Sequence, residues 1–308
     1  MKEYMKKILR ESGTVTDILP IALLLSVAVA LTGVLLSMFL MKVIPFGMLF
    51  DLLTGDAVVS DFAADYFSFC GIWIVVLILV FLFPKNHRMW NALKYNGKGN
   101  SLKGLLIGTL LGFASNGFCV LMSLLMGDIR LSFYGLDFRV LLTFVFVIFI
   151  QSGAEELIDR FYLYQKLRRR YRNPLIAILG NALIFMAMHI MNPGFTVIAG
   201  MQIFVFGVIA SMLVYYYDAL WVAMAFHMAW NFTQNIVFGL PNSGAVSIYS
   251  IFTLEAASAR NGLFYNVNFG VEGSIGAVLV LVVLGIVLYL INRNRPEKND
   301  LWKEETIS

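Results

Sequence analysis

Charged residues are scarce in this chain. Asp, Glu, Lys and Arg make up 14% of its 308 residues, where soluble domains carry about 25%. Apolar residues make up 59%, and the mean hydropathy is +0.79. A soluble protein of this composition would have too little polar surface to face water, which excludes the soluble classes. The composition predicts an all-α, polytopic membrane protein.

Cysteine and histidine are also rare. The two cysteines, Cys70 and Cys119, both lie in apolar runs, which argues against a disulfide framework and against a cysteine-based metal site. Of the three histidines, His87 lies in a basic loop, where we expect it to be solvated and assign it no role. His189 and His227 lie in long stretches without other ionisable residues, which makes them candidates for a buried site.

Apolar segments recur along the whole chain. They predict a bundle of about eight transmembrane helices, at approximately 18–41, 66–83, 104–126, 140–170, 174–190, 195–217, 219–238 and 274–291. The first segment is too long for the apolar core of a signal peptide, so we expect it to remain in place. The sequence therefore predicts one membrane-embedded domain over residues 1–308, with its core motifs at 140–238 and short tails at 1–17 and 292–308.

The segments between the helices alternate in charge. The N-terminus, residues 84–103, residues 165–173 and the C-terminus hold almost all the Lys and Arg, and the acidic 42–65 loop and the nearly uncharged 190–195 turn fall on the other side. Because cytoplasmic loops carry the excess of Lys and Arg, we expect both termini in the cytoplasm. The same excess explains the isoelectric point near 9.0 without a nucleic-acid partner.

Six polar side chains interrupt three consecutive apolar segments. They form the motifs Glu155-Glu156-x-x-x-Arg160, Phe185-x-x-x-His189 and His227-x-x-x-Asn231. An ionisable group in the bilayer costs about 2.5–3.5 kcal/mol for Asp, Lys or Arg on insertion scales, so such groups usually face a cavity and serve a function. Together they supply an acid, a base and hydrogen-bond donors, which are the groups needed to hydrolyse an amide.

The spacing within the motifs indicates how these groups face. Glu156 and Arg160 are four residues apart and can pair on one helical face. Glu155 is rotated by about 100° from Glu156 and stays the freer carboxylate. The alternative is a helix that leaves the membrane here with solvated Glu-Arg pairs. His227 and Asn231 also share a face and are suitable donors to an oxyanion.

Distances along the helices predict convergence. At about 1.5 Å per residue, Glu155, His189 and His227 lie about 20, 24 and 14 Å from the polar residues that end their helices on the basic side. We therefore expect the three groups at similar depth, reached from the cytoplasmic side.

The ordered motifs resemble the CPBP family of intramembrane endopeptidases (CAAX proteases and bacteriocin-processing enzymes, also called Abi) over about 155–231. The resemblance implies that Glu155 is the general base that activates water and that His189 helps to hold or polarise this water. It also implies supporting roles: Glu156 and Arg160 fix the geometry, and His227 and Asn231 stabilise the tetrahedral intermediate.

The resemblance further implies a hydrophobic or lipidated (CAAX-like) peptide or a bacteriocin-type precursor as substrate, in the lipid bilayer of a bacterial plasma membrane. No cofactor is required as first choice, but zinc held by Glu155, His189 and His227 stays open. Two other functions also stay open. One is a non-catalytic bacteriocin-immunity or scaffold protein, and the other is a proton-coupled transporter that uses Glu155 and His189 as a relay.

Overall fold

The structure is a computed structural model that describes residues 8–97, 99–294 and 300–302. Apart from one pair of short strands, the regular structure of these residues is helical, which confirms the predicted fold class. Part of the predicted charge asymmetry rests on residues outside the described ranges, namely Lys2, Lys6, Lys7, Lys98, Arg295 and Lys298.

Twelve helices and two strands organise the described chain. The helices are α1 (Leu19–Val43), α2 (Phe46–Thr54), α3 (Ala57–Ser68), α4 (Cys70–Leu82), α5 (Trp90–Leu93), α6 (Leu102–Leu125), α7 (Phe138–Glu156), α8 (Tyr164–Arg170), α9 (Pro174–Met188), α10 (Val197–Tyr217), α11 (Leu220–Phe232) and α12 (Ile275–Asn292). Wider π-helical turns join α7 to α8 (Leu157–Leu163) and extend α11 (Thr233–Val237). Strands β1 (Leu131–Phe133) and β2 (Phe252–Leu254) pair antiparallel.

All eight predicted segments are helical, and six helical stretches are long and apolar enough to cross a membrane. These six are Leu19–Val43, Ala57–Leu82, Leu102–Leu125, Phe138–Arg170, Val197–Tyr217 and Ile275–Asn292. The protein is thus an integral, multi-pass membrane protein. The other two segments are shorter than the roughly 30 Å hydrocarbon core, because α9 stops after 15 residues and α11 widens after 13. Two of the three predicted motifs lie on these shorter helices.

The acidic segment at 42–65, predicted as a loop, is largely helical. Asp56 caps the start of α3, where its carboxylate accepts hydrogen bonds from the backbone N–H groups of Val58 and Val59 at 2.9 and 3.1 Å. Such caps satisfy backbone donors that a helix start leaves free. Phe46 and Phe50 pack edge-on against the ring of one residue, Phe67. The four aspartates of the segment stay exposed, so the negative charge of the segment lies on the surface of helices.

A stripe of glycines on α6 packs against α11. A Cβ atom built on Gly108 would lie 2.3 Å from the carbonyl oxygen of Val222, and one on Gly112 would lie 2.3 Å from that of Phe226. No real Cβ atom tolerates such distances from backbone. The glycines therefore allow the two helix backbones to come close, as small residues do in membrane helices.

Gly112→Ala is expected to destabilise the protein by about 1–3 kcal/mol, because the added methyl group must push α11 away from α6. Gly117→Ala is the matched control, since it lies on the same helix and its Cβ would meet nothing within 4 Å. Unfolding midpoints in detergent compare the two variants. Equal midpoints would mean that the glycine stripe does not set the packing of α6.

The helix ends form two poles of the molecule. The basic pole comprises 8–18, 83–97, 99–103, 164–173, 218–219, 293–294 and 300–302, and the acidic pole comprises 42–65, 126–139, 190–196 and 239–274. At the basic pole, Arg169 binds both carboxylate oxygens of Asp17 at 2.7 Å and the side chain of Asn86 at 3.1 Å. At the acidic pole, the backbone N–H of Asp137 donates to the Tyr249 hydroxyl at 3.0 Å.

Candidate active site

A cavity of about 670 Å³ lies among α1, α3, α4, α7, α9, α10 and α11. Its wall contains four of the six predicted site residues, namely Glu155, His189, His227 and Asn231. The other two, Glu156 and Arg160, are fully buried and do not line it. The structure therefore brings the three motifs together, with one layer of side chains facing the cavity and a second layer behind it.

The buried layer is an ion pair that holds a histidine. Arg160 Nη1 lies 3.1 Å from Glu156 Oε1, as the four-residue spacing predicts, and His227 Nδ1 donates to the same oxygen at 2.9 Å. The guanidinium also lies over the ring of Phe185, 4.1 Å from its centroid. Because Nδ1–H binds the carboxylate, Nε2 of His227 is left on the opposite side of the ring.

The second histidine is also oriented through its Nδ1, in this case by a backbone carbonyl group. His189 caps the C-terminal end of α9, and its Nδ1 lies 2.7 Å from the carbonyl oxygen of Phe185, one turn earlier. A carbonyl can only accept, so Nδ1 carries the proton and Nε2 is free. The Phe-x-x-x-His spacing thus supplies the carbonyl that fixes the tautomer of His189.

Glu155 lies between the two free imidazole nitrogens. Its Oε2 is 3.9 Å from Nε2 of His189 and 3.9 Å from Nε2 of His227. Its Oε1 accepts a hydrogen bond from Gln151, one turn earlier on α7. No group within the described ranges hydrogen-bonds Oε2, although this atom is buried. Glu155 is the freer carboxylate, as its rotation from Glu156 predicts.

The helix widens directly after the two glutamates. The π-helical turn at 157–163 carries Arg160, and all of its residues are buried. Such turns are rare and often occur at functional sites. Asp159 lies in the same turn, with a carboxylate oxygen 3.8 Å from Arg160. Arg160 is therefore the buried cation between two carboxylates.

Asn231 is held by residues that the motifs do not contain. Its Nδ2 donates to the hydroxyl of Ser152 at 3.2 Å and lies 3.5 Å from Gln151 Oε1. Its Oδ1 accepts from Asn242 Nδ2 at 3.1 Å. The same Nδ2 also donates to Glu272 Oε1 at 3.1 Å. Both N–H groups of Asn242 face acceptors, and this fixes which end of the Asn231 amide carries the donors.

Glu272 anchors this network in the segment before α12. It accepts from the indole N–H of Trp230 at 3.0 Å and from the backbone N–H of Ser243 at 2.6 Å. Burial raises the pKa of the Glu272 carboxyl, and the hydrogen bond from the Ser243 backbone is the largest effect that opposes this rise. The sequence offered one signal for this network, the four-residue spacing of Gln151 and Glu155. Glu272 and Asn242 belong to no motif.

The spacing of the site residues differs from that of a tetrahedral zinc site. Ligand atoms about 2.0–2.1 Å from a tetrahedral zinc ion lie about 3.4 Å apart, which is shorter than the 3.9 Å from Glu155 Oε2 to either histidine nitrogen. Among the described residues, no group of three or more His, Cys, Asp or Glu side chains is placed to hold a metal ion. The side chains as placed do not fit the zinc set Glu155, His189 and His227.

Comparison with known proteins adds a family. Residues 137–233 match the family model described as type II CAAX prenyl endopeptidase Rce1-like. No curated protein and no solved structure gives a significant match. The matched segment covers α7 to α11 and supports an intramembrane endopeptidase in general. A single domain over 1–308 stays a prediction. All three motifs lie within residues 137–233. The Rce1-like match confirms, for this segment, the CPBP family that the motifs predict.

Proposed function

We propose that the cavity is the active site of an intramembrane endopeptidase in which Glu155 activates a water molecule. The observation that carries this proposal is the convergence of Glu155 Oε2 with the free Nε2 atoms of His189 and His227. A buried carboxylate oxygen without a partner loses its hydration energy. A water about 2.8 Å from Oε2 restores the hydrogen bond, and it then lies beside the base.

The reaction follows from this position. Glu155 takes one proton from the water, whose oxygen attacks the peptide carbonyl carbon and forms a tetrahedral oxyanion. The proton on Glu155 then passes to the amine nitrogen as the C–N bond breaks. This gives a carboxyl terminus and an amine terminus, and it restores the carboxylate. Glu155 therefore acts first as a base and then as an acid, and the step needs no other reactant.

His227 and Asn231 are the proposed donors to the oxyanion. The Glu156 carboxylate accepts from Nδ1 of His227 and orients the ring so that Nε2 faces the reaction, where Nε2–H donates to the oxyanion. Asn231 presents its amide N–H groups on the same face of α11. Its N–H contact with Gln151 is long, at 3.5 Å, so this N–H can turn to the oxyanion as negative charge develops there.

The cavity wall favours an apolar substrate. Alongside the polar groups, the lining includes five large apolar side chains, namely Phe62, Phe69, Ile203, Phe206 and Trp230. A wall of this kind buries a hydrophobic peptide, and it accepts a lipid-modified peptide by the same apolar contact. We therefore propose a hydrophobic or lipidated peptide as substrate, drawn from the lipid bilayer.

Asn231→Ala is expected to lower kcat by about 10²–10³-fold, the cost of removing one oxyanion donor, with a smaller change in KM. The assay is cleavage of a quenched fluorescent apolar peptide by the purified protein in liposomes. Ser26→Ala is the control, because this buried hydroxyl donates only one turn back along α1, to Ala22. A wild-type kcat for Asn231→Ala would remove Asn231 from the proposed oxyanion site.

Chelation is expected to leave the same cleavage unchanged, because the proposed nucleophile is activated by a carboxylate. Elemental analysis of the purified protein measures bound zinc in parallel. Loss of cleavage on chelation, with recovery on adding Zn²⁺, would replace the carboxylate mechanism with a zinc mechanism.

A further inference from the structure

Part of the wall of the active-site cavity comes from the acidic pole. Asn192 and Pro193 follow α9, residues 242–245 follow α11, Glu272 precedes α12, and Asp65 lies on α3. No described residue of the basic-pole segments lines this cavity. The cavity therefore extends from the motif residues towards the acidic pole.

Contacts within the acidic pole fix this rim. A Cβ atom on Gly244 would lie 2.2 Å from the carbonyl oxygen of Pro193, so the two loops touch along their backbones. Glu272 accepts hydrogen bonds from both the backbone N–H and the hydroxyl of Ser243. The rim is thus a packed structure on the acidic-pole side of the cavity.

On the other side of the motif residues, the chain is closed. Every residue from 156 to 169 is buried, and Trp302 donates to the side chain of Gln165 at 3.0 Å. A second cavity, of about 650 Å³, lies near the basic pole and is lined by Lys166 and Tyr162, but it shares no lining residue with the first cavity and contains none of the six motif residues. Within the described residues, neither the buried 156–169 segment nor the second cavity links the basic pole to the motif residues.

The charge pattern gives the two poles different sides of the membrane. Of the 23 Lys and Arg residues in the sequence, 18 fall in the segments of the basic pole, including the tails and Lys98, and 4 fall in those of the acidic pole. The acidic-pole segments carry 8 Asp and Glu residues. Because Lys and Arg are enriched in cytoplasmic loops, the basic pole is the cytoplasmic one. The loops that line the cavity then lie on the opposite side.

We propose that the active site is entered from the non-cytoplasmic face, and that its substrates are cationic, apolar peptide segments lying at that membrane surface. That the ligand is a peptide rests on the proposed function, whereas the side of entry does not. The acidic pole carries more carboxylates than cations and attracts positive charge, and the apolar wall takes the hydrophobic part. This side differs from the cytoplasmic access predicted from helix depth, because depth does not reveal which end of a cavity is open.

Cysteine labelling in intact cells tests the side of entry. Cys70 and Cys119 are first replaced by Ser. Then Ala245→Cys reports the exposed rim of the cavity, and Lys94→Cys reports an exposed site at the basic pole. A membrane-impermeant maleimide is expected to label Ala245→Cys in intact cells and to label Lys94→Cys only after the cells are permeabilised.

A third reporter, Met188→Cys, lies in the cavity wall behind the rim. Its labelling in intact cells is expected if water connects the cavity to the outside. Labelling of Lys94→Cys in intact cells, or protection of Ala245→Cys or Met188→Cys there, would overturn the proposal. Labelling does not require catalysis, so a protein that labels as expected but cleaves no peptide would refute the proposed function and leave the side of entry standing.

Discussion

Glu155→Gln is expected to reduce peptide cleavage by about 10²–10⁴-fold, the range typical for loss of a general base. Glutamine keeps the size of the side chain and its contact with Gln151, but the atom that replaces one carboxylate oxygen can no longer accept a proton from water. The free energy of unfolding should change little, because Oε2 of Glu155 makes no hydrogen bond within the described residues. The measurements are kcat/KM in liposomes and the unfolding midpoint.

Glu255→Gln provides the control for loss of negative charge. Glu255 is an exposed carboxylate at the acidic pole and does not line the cavity, so cleavage should persist in this variant. Wild-type cleavage by Glu155→Gln would reject Glu155 as the base. If Glu155→Gln lost cleavage but kept a full immunity or binding function in cells, a non-catalytic scaffold would explain that function better than an enzyme.

The sequence predicted the local geometry of the site because helical spacing is regular. The pairing of Glu156 with Arg160 and the freedom of Glu155 both follow from 3.6 residues per turn, and the structure has both. The carbonyl contact of His189 has the same origin, since it reaches back one turn to Phe185. These contacts depend on residues four positions apart and not on how distant helices pack.

The remaining features depend on contacts between distant parts of the chain. Glu272 and Asn242 reach Trp230 and Asn231 from an irregular segment after α11, where no periodicity predicts a contact. The helices at 46–54 and 57–68 were not predicted, because an aspartate at every fourth or fifth position is also typical of a solvated loop. In the structure these aspartates stay exposed, and apolar side chains pack beneath them.

Arg160→Met is expected to destabilise the protein by about 3–5 kcal/mol, because removing one partner of a buried ion pair leaves an uncompensated charge. Here the guanidinium lies 3.1 Å from Glu156 and 3.8 Å from Asp159, and all three side chains are fully buried. Unfolding in detergent measures the loss. Arg139→Met, also in the long α7–α8 helix, is the control. Arg139 is exposed and pairs with the surface carboxylate of Asp137, so little change in stability is expected.

The double variant Glu156→Gln with Arg160→Met separates stability from catalysis. Neutralising both partners should recover part of the stability that Arg160→Met alone loses, because no unpaired Glu156 charge is then buried. The contact of the Arg160 guanidinium with the Phe185 ring is not restored, so the recovery should be incomplete. Cleavage should stay low, since a neutral amide at position 156 no longer orients His227 through a hydrogen bond to a carboxylate. If the double variant regained wild-type cleavage, the ion pair would support only the fold, and the orientation of His227 would need another cause.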